Sequence, residues 1–202
     1  MAGTTAQVRV PKLRFHEPIR NLPGRRDART GESDFTITFA RAYMQQFHAL
    51  HRRTRCRHIA CAREIPINGF GIADLVCVLW GDTPGAPAQA WPSLNAFTHQ
   101  AAPTVRAFEV KLGTWRAAML QAHRYRYYAH SAVVVLPLAV AETASAYLDT
   151  FRAIRVGLWG FEPATQRITA YHTPPPRRPL APKHTAGAIA RVARASRALP
   201  VP

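Results

Sequence analysis

The stretch TVRAFEVKL, residues 104–112, is where the reading of this chain begins. Its apolar content and length predict a strand that Gly113 ends. Side chains on a strand alternate between faces, so Glu109 and Lys111 emerge together while Val110 points into the core. Downstream, Trp115, Ala118, Met119, Ala122, Tyr125 and Ala129 recur at helical spacing and predict a helix from Trp115 to His130. SAVVVLPLA, residues 131–139, reads as a buried strand with Pro137 near its end. Upstream, GIADLVCVLW, residues 71–80, reads as another strand. A strand from His58 to Ile67 precedes it, across the turn signal Asn68-Gly69.

The outer parts follow from these. Asp34 is a plausible N-cap for a helix running to about Arg53, with Phe35, Phe39, Tyr43, Phe47 and Leu50 on one face. Glu142 to Ile154 reads as one helix, and residues 156–161 and 167–172 as a closing hairpin. Residues 81–103 hold four prolines and two glycines, a long connection of the kind that carries function or mobility. Residues 1–33, polar and broken by Pro11, Pro18, Pro23 and Gly24, are expected to be a basic flexible arm. Residues 174–202, rich in Pro and Arg, are expected to be a disordered tail. Between them, residues 34–173 form the domain. Strands that are partly consecutive and partly joined by helices imply an α/β fold with a mixed central sheet between helices, a three-layer α/β/α arrangement.

Charge dominates the composition. The 202 residues carry 27 Lys and Arg against 11 Asp and Glu, a net of +16. Residues 173–202 hold six bases and no acid, and residues 1–30 hold seven bases and two acids. A polyanion partner is one reading, since basic segments gain affinity by releasing counterions from phosphates. The other is compositional: Arg outnumbers Lys 24 to 3 beside frequent Ala and Pro, as a GC-rich genome yields without selection for binding. The longest apolar run, residues 131–141, is too short to cross a bilayer, so no membrane association is expected. Cys56, Cys61 and Cys77 cannot all pair among themselves and lack a zinc-ribbon spacing. They are expected to be structural thiols in a reduced, cytoplasmic setting.

An acid inside a strongly apolar strand is costly unless something pairs with it or binds it. Asp74, between Ala73 and Leu75, is such an acid. If its strand neighbours that of Glu109, both carboxylates can converge on one divalent cation with Lys111 beside it. Lys111 is also the lone lysine outside the two ends of an arginine-rich chain. An ammonium and a guanidinium differ in size and hydration, so its retention points to chemistry. The plainer alternatives are an Asp74–arginine pair and a solubilising charge at a strand edge. A third possibility is an unrelated α/β protein whose cations are only compositional.

Together these residues resemble the PD-(D/E)XK nuclease superfamily, the restriction-endonuclease-like fold. Gly71-Ile72-Ala73-Asp74 resembles its first acidic motif, Glu109-Val110-Lys111 its E-x-K, and Gln121-Ala-His-Arg-Tyr125 the Q-x-x-x-Y helix motif of the RecB-like branch. The resemblance covers roughly residues 34–141. It implies Mg²⁺- or Mn²⁺-dependent hydrolysis of nucleic-acid phosphodiesters, DNA ahead of RNA, by a monomer or homodimer. It makes Asp74, Glu109 and the Val110 carbonyl metal ligands, Lys111 the catalytic lysine, and Gln121 and Tyr125 supporting residues at the site. A further upstream ligand is expected, with Glu32, His48, His51 and Glu64 as candidates. Glu64 is alternatively an ion-pair partner of Arg63 or Arg57. Tyr125, Arg116, Arg124 and Arg126 are candidate nucleic-acid contacts, and Trp91 is a candidate for base stacking. A catalytically silent nucleic-acid-binding module of the same fold is the alternative.

Overall fold

A computed structural model of the chain describes residues 26–50, 56–67, 69–81 and 103–197. Among them, β1 (His58–Ile67), β2 (Gly71–Trp80), β3 (Thr104–Val110), β4 (Ser131–Pro137), β5 (Gly157–Glu162) and β6 (Arg167–His172) form one open sheet in that spatial order. The two central pairings, β3–β4 and β4–β5, are parallel, and the others are antiparallel. The sheet is therefore mixed, as expected. Its centre is covered on both faces, which is why β4 is buried from Ser131 to Leu136.

One face packs against α1 (Arg26–Gln45) and α2 (Phe47–Leu50), where Phe39, Tyr43, Phe108 and Trp159 form a cluster of rings. The other face packs against α3 (Trp115–Tyr125), α4 (Leu138–Ser145), α5 (Leu148–Ala153) and α6 (Lys183–Arg197). The alternation along β3 serves both: Val105 and Ala107 meet the second core, Phe108 and Val110 the first. Gly160 lets α4 lie close, because a Cβ there would come within 2.9 Å of Leu138.

Several expectations need correction. The first helix does not start at Asp34. It begins at Arg26, so Asp34 is an interior residue and residues 26–33 are not part of a flexible arm. Residues 1–25 lie outside the described residues, as do most of the 81–103 connection and Trp91. The expected helix over 142–154 is two helices, α4 and α5, with Tyr147 between them. The carboxy-terminal segment is not disordered through 197. Its helix α6 buries Ala188, Ile189, Val192 and Ala195 against the sheet. Those positions keep helical spacing inside a Pro- and Arg-rich composition, and burial of a single Ile or Val is worth roughly 1.5–3 kcal/mol. Cys61 and Cys77 are not free thiols but a disulfide, joining directly paired positions of β1 and β2, while Cys56 is free. The cytoplasmic setting thereby loses its argument. No helix among the described residues is long and apolar enough to cross a membrane.

Candidate active site

The β1–β2 hairpin changes course halfway along its length. Ile59 and Cys61 face the α1 side, whereas Ala62, Ile65 and Ile67 face the other; on β2 the same change falls between Leu75 and Ala73. Glu64 sits at the break with φ 50°. β2–β3 pairing stops there, at Leu75 opposite Phe108. Beyond that point β2 offers the β3 backbone no paired carbonyl. The Val110 N–H donates instead to Asp74 Oδ2 at 2.8 Å. The parting of two strands thus turns an acid from an apolar strand toward the end of its neighbour.

Lys111 gathers the charges. Its Nζ lies 3.3 Å from Glu109 Oε1, 3.8 Å from Asp74 Oδ2 and 2.5 Å from Glu32 Oε1. Glu32 comes from α1, which passes the end of β3 closely enough that Gly31 sits beside Leu112. The family resemblance had left Glu32, Glu64 and two histidines open as the upstream residue, and Glu32 is the one that reaches Lys111. Glu64 pairs with Arg63 at 3.3 Å, the ion-pair alternative. The side chain of His48 and all of His51 lie outside the described residues.

Glu109 is fully buried, on the α3 side of the sheet. Its Oε2 accepts a hydrogen bond from the Tyr125 hydroxyl. Its Oε1 faces the lysine but makes no well-formed hydrogen bond. Burial first, and the Asp74 charge second, raise its pKa to about 8. Burial also raises Asp74 to about 6, against the opposing pull of Lys111 and the Val110 N–H. Burial alone would lower the Lys111 pKa, but Asp74, Glu32 and Glu109 together raise it, so this ammonium holds its proton.

Tyr125 was expected to touch nucleic acid. It is fully buried instead, because it belongs to the apolar stripe of α3. Its oxygen lies 2.9 Å from the Ile72 carbonyl as well as beside Glu109. One phenolic proton cannot serve both acceptors. With Glu109 protonated, the acid donates to Tyr125 and Tyr125 donates to Ile72; with Glu109 ionised, Tyr125 donates to the carboxylate. Gln121 donates to the Tyr125 oxygen at 3.0 Å and to the Ile72 carbonyl at 3.4 Å. The Q-x-x-x-Y pair is a brace between β2 and Glu109.

The three candidate arginines of this helix part company. Arg124 is exposed, one turn from Gln121 on the same side of α3. Arg116 lies over the rings of Trp115 and Tyr147, at 4.3 and 5.2 Å, and is turned toward the α4–α5 connection. Arg126 donates to the Ile154 carbonyl at 2.9 Å and serves the packing of α5.

Hard cations prefer oxygen ligands, and the donor set here fits one. Burial suppresses the ionisation of the half-buried Asp74 and the fully buried Glu109, and Glu109 Oε1 is short of a partner. Among the described residues no group of three or more His, Cys, Asp and Glu side chains is arranged to hold a metal. A site would therefore rest on these two carboxylates plus backbone oxygen, the Val110 carbonyl being the one expected from sequence. No family model matches the chain, and neither curated proteins nor solved structures give a significant match.

Proposed function

We propose that this chain is a metal-dependent nuclease with a restriction-endonuclease-like core of the PD-(D/E)XK type, hydrolysing phosphodiester bonds of nucleic acid, DNA ahead of RNA. The observation that carries the reading is the meeting of Asp74, Glu109 and Lys111 at the parted ends of β2 and β3. Ordinary ion pairing does not call for two acids and a lysine drawn from two central strands, with one acid fully buried.

Asp74 and Glu109, with the Val110 carbonyl, would hold Mg²⁺ or Mn²⁺. Such an ion supplies positive charge to the phosphate and acidifies a bound water. The residues of the chain do the remainder. Lys111 keeps its proton and stabilises negative charge that builds on the phosphoryl oxygens. Glu32 holds that ammonium in place from α1. Gln121 and Tyr125 fix Glu109 against β2, and the Tyr125 hydroxyl can turn to donate to the carboxylate once Glu109 has lost its proton. The test is cleavage of a panel of single- and double-stranded DNA and RNA, with and without Mg²⁺. Metal-dependent cutting supports the reading.

One contact favours a second reading. Lys111 already lies between Glu32, Glu109 and Asp74, an internally paired arrangement that a binding module without cleavage would also keep. Tight nucleic-acid binding with no cutting of any substrate in Mg²⁺ or Mn²⁺ selects that reading instead.

A further inference from the structure

The described acids are unevenly placed. Glu32, Glu64, Asp74 and Glu109 lie at or beside the site, Asp34 is exposed on α1, and Glu142, Asp149 and Glu162 lie on α4, α5 and β5. From residue 163 to the end of the chain there is no acid at all. That acid-free segment does not hang free. The Arg177 N–H donates to the His130 carbonyl, those of Leu180 and Ala181 donate to Arg126 and Tyr127, and the Thr185 hydroxyl donates to Tyr128. It is strapped along the turn that follows α3, and α6 then returns over β1. At the strap's end His184 packs edge-on against Phe70, which stacks on Tyr127, each at 5.0 Å. Phe70 is at the tip of the hairpin whose strand β2 carries Asp74. Asp74 is four steps along the chain from Phe70, a span of about 13 Å at the strand rise.

We propose that this strap, through Arg177, Arg178 and Lys183, binds the phosphodiester backbone of nucleic acid on one side of the candidate site. The inference deepens the nuclease reading by naming where the substrate runs. All three side chains are exposed. None is within salt-bridge reach of an acid among the described residues, whereas two exposed arginines elsewhere pair: Arg152 with Asp149 and Arg167 with Glu162. Charge that is concentrated, unneutralised and held on ordered backbone beside the site complements a polyanion. Arg124 and the exposed edge of Tyr127 continue the surface toward Gln121.

The test is binding of a fluorescein-labelled DNA oligonucleotide to the full chain in chelator, followed by anisotropy over a range of salt. The triple variant Arg177→Gln/Arg178→Gln/Lys183→Gln is compared with Arg152→Gln/Arg155→Gln/Arg167→Gln, which removes the same charge from the α5–β6 side. The strap variant is expected to weaken binding about tenfold or more at moderate salt. It should lower the slope of log affinity against log salt by roughly 2 to 3, at about 0.7–0.9 per phosphate contact. The control variant should change the slope by less than about 1. Equal slopes for the two triples would overturn the inference, since net charge alone would then account for binding. Cleavage is measured separately. A chain that shows the strap-specific loss yet never cuts upholds this inference and ends the nuclease reading. A chain that cuts while the triples share one slope ends this inference alone.

Discussion

The parted end of β2 and β3 and the carboxy-terminal strap are both rich in charge, and they use it in opposite ways. At the strand ends three acids crowd around one ammonium, and burial has raised the pKa of Asp74 and Glu109. Along the strap the charges are exposed and out of salt-bridge reach of the described acids. A charge held in the interior must repay its desolvation through a partner or a ligand. An exposed one costs almost nothing and acts mainly through the field it adds to. On the proposed reading the first region would set what chemistry is done, and the second what is attracted and how salt changes it.

The sharpest test of this contrast is substitution at the strand ends. Asp74→Ala and Glu109→Ala are expected to lose both calorimetric Mg²⁺ binding and cleavage. Lys111→Ala and Lys111→Arg should keep metal binding and lose about 10²-fold or more in single-turnover rate, the scale of a lost charge-stabilising group. A wild-type rate for Lys111→Arg would remove the role assigned to the ammonium. Cutting by an Asp74/Glu109 double variant would put the activity elsewhere.

Next in size is the response of stability to pH without divalent cations. Asp74 and Glu109 have folded pKa values near 6 and 8, above their ordinary 3.8 and 4.5. Between about pH 4 and pH 8 the folded protein thus holds more protons than the unfolded chain, and stability falls as pH rises. At about 1.4 kcal/mol per unit the two shifts together set an upper bound of about 8 kcal/mol. Lys111, raised from 10.5, stays charged across this window and does not change the sign. Thermal melts in chelator should therefore show a falling midpoint from pH 5 to pH 8. Glu109→Gln should flatten much of that fall, and Mg²⁺ should stabilise more at pH 8 than at pH 5. A flat profile for the unaltered protein would contradict the burial of these acids.

Two smaller effects mark the other side of the comparison. Ile189→Ala in the buried face of α6 should cost about 2–4 kcal/mol in denaturant unfolding. The exposed Arg178→Gln should stay within about 0.5 kcal/mol. Gln121→Ala should reduce cleavage only partly, because Tyr125 still braces Glu109. If it abolishes cleavage, Gln121 contacts substrate directly.

Much of the central sheet could be read from the sequence, because its strands are apolar on both faces and bounded by glycine and turn residues. β1 and β2 begin and end where the sequence suggested. The adjacency of Asp74 and Glu109 followed from neighbouring strands, and the shared face of Glu109 and Lys111 from strand alternation. What was hidden had specific causes. The buried face of α6, Ala188, Ile189, Val192 and Ala195, is made largely of small residues set among arginines, so composition masked its period. The start of α1 at Arg26 was obscured because its first turns have no continuous apolar stripe. The depth of Tyr125 was legible from that residue's place in the α3 stripe. The parting of β2 from β3 leaves no mark in sequence beyond Asp74 itself.

The return of α6 over β1 also sets an order of assembly. β1 is an edge strand, and on the α3 side its outer half finds cover in a helix made more than a hundred residues later. Contacts so distant along the chain form late and slow folding. During synthesis the β1–β2 hairpin, with Asp74 in it, must wait for residues 183–197 before its apolar face is closed. Ribosome-stalled chains ending before α6 should accordingly be cut by protease within β1, and chains that include α6 should resist.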